Sequence, residues 1–154
     1  MQARLLVVIA LACFAAVGAA LYTQHAMDMQ PCPWCILQRL IFIVIGVVAL
    51  LGALVARYLA KPAAALVLLL ALAGGAAALW QHFVAAASAS CNLTLADRIV
   101  NALRLNTLLP DAFEARANCA DAKVALAGVP FEFWSLALFV LLALAAIGVL
   151  RARW

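Results

Sequence analysis

The sequence predicts an all-α membrane protein: a four-helix transmembrane bundle with a short amphipathic interfacial helix in its second outer loop. Three observations predict it. Apolar residues make up 71% of the 154 and charged residues only 10%, against about 45–50% and about 25% in soluble domains. Four segments run free of charge for the roughly 17–25 residues that a bilayer requires. The basic residues collect at the ends of those segments rather than in a patch interleaved with aromatics. A soluble chain this short leaves too much surface exposed to hide so much apolar area. A soluble globular enzyme, a disordered tail and a disulfide-dense secreted miniprotein are therefore excluded, and the net charge of +4 is a matter of topology, not of nucleic-acid binding.

The expected spans are about 5–22, 36–56, 63–80 and 133–150, in one membrane domain covering 1–154. No water is present in the hydrocarbon to satisfy backbone groups, so each span is a helix. The first, Leu5 to Tyr22, also has the look of a cleaved signal peptide, with Arg4 ahead of it and Ala-Val-Gly-Ala-Ala near its end. Cys13 after Ala10-Leu11-Ala12 faintly resembles a lipoprotein cleavage box. Its length and the three spans that follow favour a membrane helix. The second is uninterrupted from Leu40 to Ala56 and begins as helix near Ile36. In the third, Gly74-Gly75 is expected to interrupt the run. Ala12, Ala16 and Ala20 form a small-residue stripe for packing in the first.

Arg4, then Arg57 and Lys61, then Arg151 and Arg153 fall on one side of the membrane if the spans alternate. The positive-inside tendency makes that side cytoplasmic. Both termini are then cytoplasmic, and the connections of about 23–35 and 81–132 face outward. Tyr22, Trp34, Trp80 and Trp134 fall at the outer boundary and Tyr58 and Trp154 at the inner one, as aromatic belts do. Within the long connection, Ala96, Ile99, Val100 and Leu103 share one helix face and Asp97, Arg98, Asn101 and Arg104 the other, with Thr94 and Asp97 as a start signal. This short helix is expected to lie in the membrane interface. Asn92-Leu93-Thr94 matches a glycosylation sequon by chance.

Of the five cysteines, Cys13 falls mid-membrane and reads as a small packing residue. Cys32, Cys35, Cys91 and Cys119 all fall on the outer side, where disulfides persist. Pro31-Cys32-Pro33-Trp34-Cys35 is a C-x-x-C motif directly before a helix, where unpaired N–H groups and the helix dipole stabilise a sulfur anion. Arg39, four residues beyond Cys35, brings a permanent cation to the same face. A guanidinium at a span's edge is either functional or snorkelling to the headgroups. Its place a full turn inside, on the outer side, favours function.

Zinc is the metal alternative, with His25 and His82 completing a site, but Cys91 and Cys119 are 28 residues apart and supply only half of the usual paired signature. Inert structural disulfides are the other alternative. A ring closed across Cys32 and Cys35 would restrict the unfolded chain by only about 1.9 kcal/mol, against about 3.6 kcal/mol for one across Cys91 and Cys119. So short a ring is a weak staple, better suited to redox chemistry.

With Gln24-His25-Ala26-Met27 ahead of the C-x-x-C, then Arg39, Gln81-His82, Cys91, Cys119, Gly128, Pro130 and Trp134-Ser135-Leu136, the chain closely resembles the DsbB family of quinone-linked, disulfide-generating proteins of the bacterial inner membrane. The resemblance covers nearly the whole length in order and spacing. It departs at Val124, where members often carry an aromatic, and at Gln38, where they often carry an acid.

The resemblance implies a thiol:quinone oxidoreductase with disulfides Cys32–Cys35 and Cys91–Cys119. A reduced DsbA-like thioredoxin-fold protein of the periplasm would attack the second pair through Cys91. Cys119 would then attack Cys32 and release Cys35 as a thiolate, which would reduce a bound ubiquinone or menaquinone beside Arg39. A relay of this kind keeps the periplasm oxidising. The chemistry of the chain points the same way: the acceptor has to be lipid-soluble, because neither a G-x-G-x-x-G nor a P-loop is present. His82 either lines the quinone pocket or is a simple boundary histidine.

Overall fold

A computed structural model of the protein describes residues 1–85, 95–116 and 125–153. Four helices in it are long and apolar enough to cross a membrane. They are α1 (Gln2–Ala26), α2 (Pro33–Leu54), α3 (Ala56–Trp80), which continues as a π-helical turn over Gln81–Ala85, and α7 (Phe131–Arg151). Three short helices lie between the third and fourth spans: α4 (Leu95–Ala102), α5 (Leu105–Leu108) and α6 (Pro110–Phe113). A two-stranded hairpin, β1 (Ala125–Leu126) and β2 (Val129–Pro130), leads into α7. It pairs Ala125 with Pro130 and Leu126 with Val129. Ala127 and Gly128 at its tip both have positive φ, 53° and 81°, which a two-residue hairpin loop of the tightest kind demands and glycine supplies without strain.

The helices begin earlier than the charge-free runs. Pro33, with its preset φ and no N–H to leave unpaired, opens α2 at its first position. A single residue, Val55, separates α2 from α3, so Arg57 and Lys61 lie on the first turns of α3 rather than in a loop. Pro62 is inside α3.

Helix α2 packs between α1 and α3, α7 packs along α3, and a lighter contact between α1 and α7 closes the bundle. The core runs through Leu6, Ile9 and Cys13 of α1, Phe42 and Ile45 of α2, Val67 of α3 and Phe139 of α7. Two sequence expectations are corrected here. The buried face of α1 is Leu6, Ile9, Ala10 and Cys13, whereas Ala12, Ala16 and Ala20 are only partly covered. Small residues were not needed where larger ones already interdigitate. Gly74-Gly75 does not interrupt α3. A Cβ on Gly74 would fall 2.3 Å from the ring of Phe139, so the missing side chain lets that ring reach across and stack on Phe42, centroids 4.2 Å apart and 1° from parallel.

At one end of the bundle Gln2 Nε2 donates to the carbonyls of Val149 (3.3 Å) and Ala152 (3.0 Å). This joins the start of α1 to the end of α7 and gathers Arg4, Arg57, Lys61, Arg151 and Arg153 at that end. The opposite end carries α4 to α6 and the hairpin. There α4 turns Ala96 and Val100 inward against α2, while Leu95 and Leu103 stay exposed.

Candidate functional site

At the end of the bundle opposite the basic cluster, helix α2 starts on Cys32. Its backbone is extended (φ −89°, ψ 168°), it occupies the cap position, and its Sγ accepts a hydrogen bond from the Cys35 N–H at 3.4 Å. A capping side chain of this kind satisfies one of the N–H groups that a helix start leaves unpaired. Sequence reasoning placed Cys35 at the helix start. The structure puts both sulfurs there, Cys32 as cap and Cys35 in the first turn, 2.9 Å apart and in hydrogen-bond contact. Both lie where the helix dipole favours negative charge.

Cys32 is fully buried among Trp34, Leu37, Ala77 and Ala96, contributed by α2, α3 and α4. Trp34 is only 8% exposed and tilts against Trp80 at 6.3 Å. It is a wall of the site, in one buried cluster with Ala77 of α3 and Ala96 of α4.

Three further side-chain clusters surround the sulfurs. Gln81, on the π-helical turn, donates through Nε2 to Cys35 Sγ at 3.2 Å and accepts from Gln38 Nε2 at 2.6 Å. Arg39, buried to 6% exposure, donates through Nη1 to Gln24 Oε1 at 3.0 Å and to the Ala112 carbonyl. Gln24 Nε2 in turn donates to the Asp111 carbonyl at 3.0 Å. These bonds fasten α6 over the outer ends of α1 and α2. The third cluster is His82 Nδ1 against Glu132 Oε1 at 2.6 Å, with the rings of Phe83 and Phe133 packed on the imidazole. π-Helical turns recur at functional sites, and this one directs Gln81 to a sulfur and His82 to a carboxylate.

The sequence expectation for Arg39 was a cation within reach of the Cys35 sulfur. No hydrogen bond links it to Cys35 among the described residues; its charge acts on that sulfur through space. The guanidinium reaches instead toward α1 and α6, whose oxygens offer a bonded geometry that a thiol does not. Its Nε is buried without a partner among the described residues, an open donor in a place where unpaired polar groups are costly.

Two more attachments position the site. The Arg116 N–H donates to the Pro31 carbonyl at 3.1 Å, tying the long connection to the residue before Cys32. Trp134 Nε1 donates to the Leu126 carbonyl at 3.1 Å, holding the hairpin on α7. A polar cleft of about 260 Å³ opens beside Pro33 and Ile36, lined also by Asp97, Asn101, Asn106 and Glu114. No three His, Cys, Asp or Glu side chains gather as a metal site among the described residues.

Of the residues expected to act, Cys32, Cys35, Arg39 and His82 lie at the same end of the bundle. Cys91, Cys119, Thr94 and Val124 fall outside the described residues. Sequence reasoning missed the roles of Gln24, Gln81 and Glu132. The two glutamines, uncharged polar residues at the ends of apolar spans, carried a signal. Glu132 carried none, since it resembled the other acids of the long connection.

A profile described as "Disulfide bond formation protein DsbB" matches residues 2–149. The chain is 35% identical over 144 residues to "Disulfide bond formation protein B 1" of Pseudomonas syringae pv. syringae (strain B728a), covering 92% of this chain and 85% of that protein. It is 37% identical over 145 residues to "Disulfide bond formation protein B" of Cupriavidus metallidurans (strain ATCC 43123 / DSM 2839 / NBRC 102507 / CH34), covering 93% and 89%. It is 32% identical over 155 residues to the protein of that name in Burkholderia pseudomallei (strain K96243), covering 99% and 92%.

Proposed function

The chain belongs to the DsbB family of disulfide bond formation proteins, and from that premise we propose that it is a thiol:quinone oxidoreductase of the bacterial inner membrane. On this reading it reoxidises a DsbA-like dithiol oxidase of the periplasm and generates disulfides de novo. Its family and its four spans make it a multi-pass membrane protein with a disulfide-forming redox role. The substrate, the acceptor and the orientation, with the cysteine end toward the periplasm, are the proposal. The exposed Leu95, Leu103, Leu108 and Leu109 supply an apolar surface suited to the membrane interface beside the site.

The carrying observation is the pair of sulfurs 2.9 Å apart at the start of α2, held at the mouth of a membrane bundle beside a buried cation. Thiol exchange runs best when the leaving sulfur is a stabilised anion. The partner's thiolate attacks the Cys91–Cys119 disulfide at Cys91. Cys119 then attacks Cys32, a new sulfur–sulfur bond forms there, and the Cys32–Cys35 bond breaks with its electron pair left on Cys35. Two electrons and two protons leave the partner's dithiol for each disulfide it gains. A bound quinone supplies a lipid-soluble acceptor for both.

Two groups at this end of the bundle could hold such a ring. Arg39 Nε is a buried donor with no partner among the described residues, suited to a ring oxygen. Glu132 engages His82 Nδ1, which leaves Nε2 as the nitrogen for a ligand. Phe83 and Phe133 add apolar faces.

The test mixes purified protein with a reduced thioredoxin-fold oxidase and either ubiquinone or menaquinone, and follows quinone absorbance and partner thiols together. One quinone consumed per disulfide formed is expected, and none with Cys35→Ser. Disulfide formation that proceeds with no quinone consumed would overturn the reading, as would labelling that places Cys32 and Cys35 in the cytosol.

A further inference from the structure

Besides the Cys32 sulfur at 2.9 Å, Cys35 Sγ meets a side-chain amide, while the nearby cation makes no hydrogen bond to it among the described residues. Gln81 Nε2 lies 3.2 Å from Cys35 Sγ, and Gln38 Nε2 lies 2.6 Å from Gln81 Oε1. Both glutamines are almost wholly buried, 3% exposed for Gln38 and 5% for Gln81. Gln38 follows Cys35 by three residues and so shares its face of α2. A carboxamide has one acceptor oxygen and one donor nitrogen. With the Gln81 oxygen engaged by Gln38, the group left to face the sulfur is the NH2. A donor aimed at sulfur stabilises the anion over the thiol. Burial strengthens that preference, because no water competes for either partner.

We propose that Gln81 is a further residue of the reaction. Its amide, held in orientation by Gln38, donates to Cys35 Sγ and stabilises the anion released when the Cys32–Cys35 bond breaks. Gln38 is a positioning residue that acts through Gln81. The assignment deepens the thiol:quinone reading and rests on it. In the step concerned, Cys119 Sγ bonds to Cys32 Sγ and the electron pair of the broken bond stays on Cys35. The Gln81 N–H meets that charge without giving up a proton. Arg39 acts on that sulfur only through space, and its Nε, with no partner among the described residues, is left for the acceptor.

The test uses the full-length protein, freed of quinone and reduced at Cys32 and Cys35. Alkylation of Cys35 by iodoacetamide is followed as a function of pH, with mass spectrometry locating the label. Gln81→Met and Gln38→Met keep side-chain length while deleting the amides. Gln81→Met is expected to slow Cys35 alkylation near neutral pH about tenfold, the equivalent of one ordinary hydrogen bond, and to move the pH profile upward. Gln38→Met moves it the same way by less, and the double variant goes no further than Gln81→Met, since Gln38 acts only through Gln81.

A wild-type pH profile in Gln81→Met overturns the role of Gln81, and additive shifts in the double variant overturn that of Gln38. A merely structural role would alter stability and leave the profile in place. If Gln81→Met fails to fold, Gln38→Met, which does not touch the sulfur, decides alone: an unmoved profile overturns the proposal. The assay contains neither quinone nor partner. A failure here with quinone still consumed by the unaltered protein rejects this inference and spares the reading beneath it, while absent quinone consumption rejects that reading itself.

Discussion

Replacing Arg39 by Met keeps most of the buried stem and removes the cation and its donors. In the structure those donors serve Gln24 Oε1 and the Ala112 carbonyl. Each oxygen left buried and unpaired costs about 1–3 kcal/mol, so the fastening of α6 to the ends of α1 and α2 weakens by about 2–6 kcal/mol. Amides around 110–116, held now by Arg39, Gln24 and the Arg116–Pro31 bond, should then exchange with solvent deuterium at least about 30-fold faster, the equivalent of some 2 kcal/mol of local stability. The proposed quinone step loses a donor to a developing negative oxygen as well, a loss of about 10²–10³ in rate by analogy with other oxyanion donors. The two disulfides proposed above should still form. Arg39→Lys separates the two effects: the charge remains, while the shorter side chain no longer carries a donor to the place of Nη1, which serves both oxygens, so protection at 110–116 falls and part of the quinone rate survives. Hydrogen–deuterium exchange by mass spectrometry and stopped-flow quinone absorbance read the two outcomes. Unaltered exchange at 110–116 in Arg39→Met would refute the fastening, and quinone kinetics within twofold of the parent would refute its role toward the acceptor.

Three other outcomes follow from packing and pairing. Gly74→Ala forces the Phe139 ring aside, since the added carbon would meet it at 2.3 Å, and should lower stability by about 1–3 kcal/mol. Gly75→Ala meets nothing nearer than 3.6 Å and should be neutral; equal thermal midpoints for the two variants would contradict the close approach. Cys13→Ala removes only a small buried group from the core, so an effect of about 1–2 kcal/mol on unfolding and turnover at the parental rate are expected, and a large loss of activity would reveal a redox role for Cys13. Glu132→Gln keeps the shape beside His82 but loses the charge that strengthens their 2.6 Å contact. A double-mutant cycle with His82→Gln should return a coupling of about 0.5–3 kcal/mol in thermal unfolding, and a coupling near zero would show the pair to be idle.

The architecture was legible in the sequence because lipid imposes so few solutions. Charge-free runs of bilayer length must be helices, and their boundaries erred most at α1, which continues to Ala26, and at α3, where Val55 alone sufficed as the connection from α2. The short helix α4 was legible from the spacing of Ala96, Ile99 and Val100, whereas Leu103, expected on the same face, lies past its end and is exposed. The inner-face detail was not. Gly74 looked like a breaker and is a notch for Phe139. Trp34 was legible only as a boundary aromatic and not as a wall of the site packed against Trp80 of α3. Each error has the same source: a residue's partner lay on another span, at a distance along the chain that no local period records.

The same division holds at the site. By itself the sequence determined that Cys35 stands at a helix start with a guanidinium one turn on, because the C-x-x-C before a helix and its four-residue spacing are local matters. Only the tertiary structure decided which group serves which. It brought Gln81 to Cys35, Glu132 to His82, and Gln24 with the Ala112 carbonyl to Arg39. Buried polar groups must find partners wherever the packed helices place them, and that choice is made by three-dimensional proximity, which a linear reading of residue types does not contain.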